Sequence, residues 1–238
     1  MGISPQIVAH RGGAGEAAEN TLAAFSQALL VADWIECDVR LSKDHIPIVV
    51  HDSSTQRLFS GEELSVHAPS YQEPETLRPL SKGGGSIPSL QSVLEKIDSK
   101  AGILLELKEE HAFIPLFVER VLQTVTPYQE IRKTQLIMSS FSPAILEEIR
   151  RQTPHQPLGL IAQDMETLRA SKGFDLALFA LSQDLVSPTL VAELKTRGGK
   201  LWVWTINDLP TIEKYTSMGI DGVITDFPRL AREHFPKN

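Results

Sequence analysis

The sequence predicts an irregular (β/α)8 barrel, and three observations carry that expectation. Short apolar β-like runs alternate with segments of helical period from one end of the chain to the other, as in a parallel sheet covered by helices. The length, 238 residues, is that at which eight such units close as a single domain. One pair of runs lies too close in sequence for a parallel crossover, which makes one side of the barrel irregular.

The β-like runs are 7–10, 34–39, 47–51, 103–108, 135–140, 157–162, 176–181, 200–205 and 222–225, one more than the barrel needs. Between the first two, Leu22, Phe25 and Leu29 recur at near-helical spacing, with Asn20 ahead of them as the expected N-cap. The gap from Asp38 to Pro47 is shorter than the crossover of about a dozen residues that parallel strands require. Asp44-His45 stands where a tight turn would be, so 34–51 reads as an antiparallel hairpin. His45 is expected there in the left-handed conformation that glycine adopts more easily. Leu90, Val93, Leu94 and Ile97 fall at i, i+3, i+4 and i+7, and Ile145, Leu146 and Ile149 mark another helix. Leu209, Ile212 and Tyr215 mark a further one.

Residues 53–86 break the alternation. They carry Ser-Gly-Glu-Glu, Gln-Glu-Pro-Glu and Gly83-Gly84-Gly85 with no sustained period, which suits a functional cap or a mobile loop. The chain therefore reads as one domain, 1–238, with 53–86 as a cap-like insertion.

Composition narrows the classes. No apolar stretch reaches membrane-spanning length, and residues 7–10 already read as a strand where a signal peptide would have its apolar region. Gln6 stands where a myristoylation signal would want Ser or Thr. A soluble, cytoplasmic protein without stable membrane association is expected. One cysteine, Cys37, leaves no internal disulfide or thiolate metal cluster, and it is expected as a buried, inert thiol. A net charge of −7 argues against nucleic acid as a partner but not against a small anion met by local cations. The oligomeric state has no signature in the chain.

The candidate chemistry gathers at strand ends. Side chains two apart on a strand share a face, so Glu36 and Asp38 point one way while Ile35 and Cys37 face the helices. Glu106 with Lys108, and Val49 with His51, read the same way and would enter the barrel mouth. Carboxylate pairs about 4 Å apart repel by about 4 kcal/mol at an effective dielectric of 20. A hard cation with oxygen ligands removes that penalty, whereas simple ion pairing with Lys108 and Arg11 is the plainer reading. Spacing leaves both open. Of seven histidines, His67, His111, His155 and His234 read as surface or satisfied residues. His10 and His51 end apolar strands near the carboxylates and can divide general acid and base work. Arg11 offers a planar fork for phosphate oxygens.

Taken together, His10-Arg11-Gly12, Glu19-Asn20-Thr21, Glu36-x-Asp38-Val39, His51-Asp52, Glu106-x-Lys108, Ser140-Phe141, Trp204-Thr205-Ile206-Asn207 and Gly222-Val223-Ile224-Thr225-Asp226-x-Pro228 resemble the glycerophosphodiester phosphodiesterase family, in its short, single-domain bacterial form. The resemblance runs from residue 7 to about residue 230. It implies an irregular TIM barrel that hydrolyses glycerophosphodiesters to sn-glycerol 3-phosphate and an alcohol. It further implies one divalent metal, Mg²⁺ or Ca²⁺, held by Glu36, Asp38 and Glu106, with His10 and His51 as the acid–base pair. Arg11 and Lys108 would bind phosphate, Glu19 would support the site, and Phe141 and Trp204 would form apolar walls. Residues 53–86 would match the family's cap insertion. Which histidine is acid, and whether a cyclic phosphate precedes hydrolysis, stay open at this point. The chain departs from the family at Ala18, where proline is usual, and at His45, where the hairpin usually has glycine; both bear on loops.

Asn20 is expected as a helix cap before it is expected near the site. Thr225-Asp226 could trim the site or form a turn before Pro228, and Trp202 shares a face with Trp204 at a depth the sequence leaves open. Three rival functions remain. A phospholipase-D-like or lyase relative would stop at a cyclic phosphate. An aldolase or isomerase on the same fold would need a carboxylate/histidine metal set around a carbonyl or a Schiff-base lysine, for which Lys108 is the strand-end candidate and Glu106 favours the ammonium form. A non-catalytic binder would lack a histidine or a ligand, and none is missing.

Overall fold

The computed structural model describes residues 4–54, 56–57, 59–60, 78–79, 86–108 and 113–237. In chain order its elements are β1 (Gln6–Ala9), α1 (Leu22–Ala28), β2 (Trp34–Leu41), β3 (Pro47–Val49), β4 (Phe59–Ser60), β5 (Arg78–Pro79), α2 (Leu90–Ile97), β6 (Gly102–Leu107), α3 (Ile114–Arg132), β7 (Leu136–Ser140), α4 (Pro143–Gln152), β8 (Leu158–Ala162), α5 (Met165–Ala170), β9 (Leu178–Ser182), α6 (Pro188–Lys195), β10 (Lys200–Trp204), α7 (Leu209–Ser217), β11 (Gly222–Thr225) and α8 (Pro228–His234).

The expected barrel is there. Strands β1, β2, β6, β7, β8, β9, β10 and β11 pair in parallel around a ring, with β1 joining both β2 and β11. The surplus strand is β3, which pairs antiparallel with β2 through Val39 opposite Val49 and so makes the predicted hairpin. His45 lies in its turn with φ 60, as expected of the residue standing where glycine would be easier.

Alternation along each strand divides the core in two. Ile7, Ile35, Cys37, Ile103 and Leu105 face outward and pack with Phe25, Leu94, Phe117 and Ile145 of the helices. Val8, Trp34, Leu104, Ile137, Leu178, Trp202 and Ile224 fill the barrel itself. Trp202 is fully buried, edge-on to Trp34 with ring centroids 5.1 Å apart, so the lower barrel is closed by two indoles. Glycine makes room for them: a Cβ on Gly102 would come within 2.3 Å of Trp34, and one on Gly222 within 2.8 Å of Trp202. Cys37 is buried with its thiol pushed well up by burial and by Glu36 and Asp38, as its inert reading requires.

Two local expectations need correction. Asn20 is not the N-cap of α1: Thr21 is, its hydroxyl accepting from the Ala24 N–H at 3.1 Å, while Asn20 sits at φ 55 and faces the carboxylates. The cap fell one residue later because Asn tolerates the left-handed backbone that turns it inward. Val49 does not share the barrel mouth with His51. It packs in the outer core, and β3 ends before His51, so the following loop delivers the imidazole.

In the 53–86 stretch, β4 and β5 form a two-residue antiparallel pair. Most of the remainder, with His67 and also His111, lies outside the described residues. Among the described residues no helix is long and apolar enough to cross a membrane.

Candidate active site

The mouth is built where strands end. After β1 the chain makes one tight turn, His10–Gly12, with Arg11 at φ 51 and Gly12 at φ 82. Gly12 is required twice over, by its backbone and by α1, because a Cβ there would meet Ala24 and Phe25 at 2.9 Å. The turn points the Arg11 N–H at Glu36, donating to Oε2 at 2.7 Å.

Glu36 and Asp38 project inward from β2, and Glu106 lies directly across from Asp38 on β6. All three are buried, and each offers an oxygen within 4.8 Å of the others. The ion-pairing reading is met at Asp38, and the three carboxylates could also hold a cation. Asp38 is ion-paired, with Lys108 Nζ at 2.9 Å from Oδ1 and Arg11 Nε at 3.2 Å from Oδ2, and Lys108 also bonds Glu106. Burial works to raise the pKa of Asp38, but Lys108, Arg11 and His51 overcome it and bring it to about 2. At Glu36 the more distant His10 and Arg11 charges do not overcome burial. Burial first, then the Asp38 charge, push it up to about 8, and its Oε1 is buried without a hydrogen-bond partner. Burial and Asp38 also raise Glu106. An orphaned carboxylate oxygen beside two further carboxylates fits a hard divalent cation.

The two histidines flank this cluster with the same local design. The His10 Nδ1–H donates to Asp226 Oδ1 at 2.6 Å, and the Asn207 amide donates to Asp226 Oδ2 at 2.7 Å. The His51 Nδ1–H donates to Asp52 Oδ1 at 2.7 Å, and Arg57 Nε donates to Asp52 Oδ2 at 2.6 Å. Fixing the proton on Nδ1 leaves each Nε2 as the free nitrogen. Their electrostatics differ. Burial would lower His10, but the Asp226 bond and the Glu36 charge raise its pKa above the ordinary value. Burial lowers His51, and although Asp38 opposes this, Lys108 and Arg11 help keep its pKa below the ordinary value.

Arg11 is held from behind by Glu19, whose Oε1 accepts from its NH1 at 3.0 Å. Arg57 grips the same carboxylate at 2.8 and 2.7 Å. His10, Arg11, Glu36, His51, Glu106 and Lys108 line one cavity of about 130 Å³ with Phe141, Ile161 and Trp204. Phe141 stands edge-on to Trp204, centroids 5.6 Å apart, and the indole N–H donates to the Ala180 carbonyl at 3.0 Å. A charged half thus faces an apolar half.

Every candidate site residue named from the sequence falls on this mouth. Three more were missed or left open. Asn20 donates to Asp38 Oδ2 at 2.8 Å, Asp226 orients His10, and Arg57 links Asp52 to Glu19. The strand-end position of Thr225-Asp226 was the available signal for Asp226. Arg57 had none.

Known proteins share this arrangement of chain. The sequence profile described as the glycerophosphoryl diester phosphodiesterase family matches residues 10–230. A glycerophosphodiester phosphodiesterase of Caldanaerobacter subterraneus is 30% identical, covering 93% of this chain and 94% of that one. A lysophospholipase D of Rattus norvegicus is 26% identical over 95% of this chain and 84% of its own. Among solved structures, a phosphodiesterase of Oleispira antarctica in complex with the product sn-glycerol-3-phosphate superposes with TM-score 0.88 at 26% identity, covering 98% of this chain and 97% of that one. A glycerophosphodiester phosphodiesterase of Thermotoga maritima gives 0.80 at 27% identity, covering 98% and 100%. The chain belongs to the glycerophosphoryl diester phosphodiesterase family of phosphoric diester hydrolases.

Proposed function

We propose that the protein hydrolyses small glycerophosphodiesters, such as glycerophosphocholine or glycerophosphoethanolamine, to sn-glycerol 3-phosphate and the free alcohol, with one Mg²⁺ or Ca²⁺ as cofactor. The observation that carries this reading is the pair of carboxylate-backed imidazoles flanking three buried carboxylates on one cavity.

Glu36, Asp38 and Glu106 would hold the cation, which when bound would polarise the phosphoryl oxygens and neutralise the Glu36 charge. Arg11 and Lys108 grip the remaining phosphate oxygens and offset charge gathering there in the transition state. His51, with its lowered pKa, is neutral near pH 7 and takes the proton of the attacking hydroxyl at Nε2. His10, whose raised pKa favours the imidazolium, would give the Nε2 proton to the leaving alkoxide. Phe141 and Trp204 pack the carbon skeleton and exclude water. If the attacking hydroxyl belongs to the glycerol, a cyclic phosphate forms first and the histidines exchange roles as water opens it.

The chain acts as one domain in this reading, in the cytoplasm, with 53–86 as a cap that ranks headgroups. Release of glycerol 3-phosphate from glycerophosphocholine by cation-depleted protein, with and without added Mg²⁺ or Ca²⁺, tests the reading. Cation-restored release supports it. A cyclic phosphate that accumulates without opening would move the protein to the lyase side of the family.

A further inference from the structure

We propose that Arg57 is a positioning residue that sets the general base and the phosphate clamp together; the inference rests on the roles given above to His51 and Arg11. Arg57 lies at the start of the 53–86 stretch and donates three charge-assisted hydrogen bonds to two carboxylates from distant parts of the chain. Nε bonds Asp52 Oδ2 at 2.6 Å, while NH1 and NH2 bond Glu19 Oε2 and Oε1 at 2.8 and 2.7 Å. Each carboxylate passes the constraint inward. Asp52 holds the His51 ring by Nδ1, and Glu19 Oε1, which Arg57 already grips, holds Arg11 NH1.

Stability does not explain this residue. The Arg57 side chain is 48% exposed, and half-exposed ion pairs contribute little to folding. Its geometry is better suited to fixing directions. A guanidinium is a rigid planar fork, so bonds from both of its edges lock the angle between Asp52 and Glu19 in a way a point charge does not. The two groups so aligned act on the same substrate from different sides: one takes a proton, the other holds a phosphate oxygen.

Loss of this link therefore has two signatures at once. Arg57→Gln is expected to lower kcat about 10- to 100-fold, the usual scale for partners that orient an active-site ligand. It should also raise the inhibition constant of the product sn-glycerol 3-phosphate, because Arg11 is no longer braced. Asp52→Asn should lower kcat with little change in product affinity, and Glu19→Gln should do the reverse. Because Arg57 acts on the base through Asp52, adding Arg57→Gln to Asp52→Asn should lower kcat no further. Arg57→Lys keeps the charge but not the fork, and should recover one signature without the other; it also serves if the glutamine variant does not fold.

The decisive experiment measures kcat and product inhibition for wild type, the three single variants, Arg57→Lys and the double variant, with His10→Ala as reference. Arg57→Gln or Arg57→Lys indistinguishable from wild type, or kcat losses of Arg57→Gln and Asp52→Asn that multiply, would overturn the inference. If wild type releases no glycerol 3-phosphate while the fold is intact, the proposed function itself fails instead.

Discussion

Asp226 Oδ1 lies 2.6 Å from His10 Nδ1 across 216 residues of sequence, so the contact exists only because the first and last strands of the barrel meet. That bond fixes the tautomer of His10 and raises its pKa against the effect of burial. Asp226→Asn keeps the shape and removes the charge. Activity is expected to fall about 10- to 100-fold. With His10 as the acid, the alkaline limb of kcat/KM should move to lower pH, because a less stabilised imidazolium loses its proton earlier. A pH–rate profile of wild type and variant checks both.

Cation-free protein should lose stability as pH rises. Glu36 has a folded-state pKa of about 8 against an ordinary 4.5, and Glu106 is raised as well. A group raised on folding stabilises fully below its unfolded pKa and loses that contribution through its folded pKa, so the fall should span roughly pH 4.5 to 8. Asp38, lowered to about 2, contributes in the opposite sense only below about pH 4. Urea midpoints across that range, with and without Mg²⁺ or Ca²⁺, are the measurement. Added cation at about 100 times its Kd should restore about 2.7 kcal/mol, and Glu36→Gln should weaken the restoration and remove the part of the slope that Glu36 contributes, leaving that of Glu106. A flat profile without cation would contradict this.

Neighbouring residues in the β1–α1 loop should separate cleanly. Thr21→Ala removes a helix cap and should cost about 1 kcal/mol of stability without touching cation affinity. Asn20→Ala leaves the buried Asp38 short of a donor and should cost about 1 to 3 kcal/mol while also weakening cation binding. Denaturation curves and cation titration by melting temperature distinguish the two.

Gly102→Ala should destabilise by about 1 to 3 kcal/mol or more, since its methyl would lie 2.3 Å from the Trp34 ring on the packed barrel floor. Trp34→Phe in the same chain should recover part of that loss. A Gly102→Ala variant as stable as wild type would contradict the close packing of the barrel floor.

Much of this was legible in the sequence, for a physical reason. The period of two on β2 and β6 sends Glu36, Asp38 and Glu106 inward and Ile35, Cys37 and Leu105 outward, and short spacing alone marks the β2–β3 hairpin. The contacts that escaped are those that depend on closure or on loops. Asp226 meets His10 only across the β1–β11 seam, and Arg57 finds Glu19 from a stretch with no periodic pattern. Asn20 was misread because a residue suited to a cap is equally suited to a left-handed turn, and only the position of Asp38 decides between them.

The division of labour between the histidines can be measured with two diesters of glycerol 3-phosphate. Choline leaves as a poor alkoxide that needs a proton, whereas p-nitrophenolate leaves without one. His10→Ala is expected to lose about 10²- to 10⁴-fold on the choline ester but far less on the nitrophenyl ester, while His51→Ala loses activity comparably on both. Equal losses for His10→Ala on the two substrates would contradict His10 as the general acid.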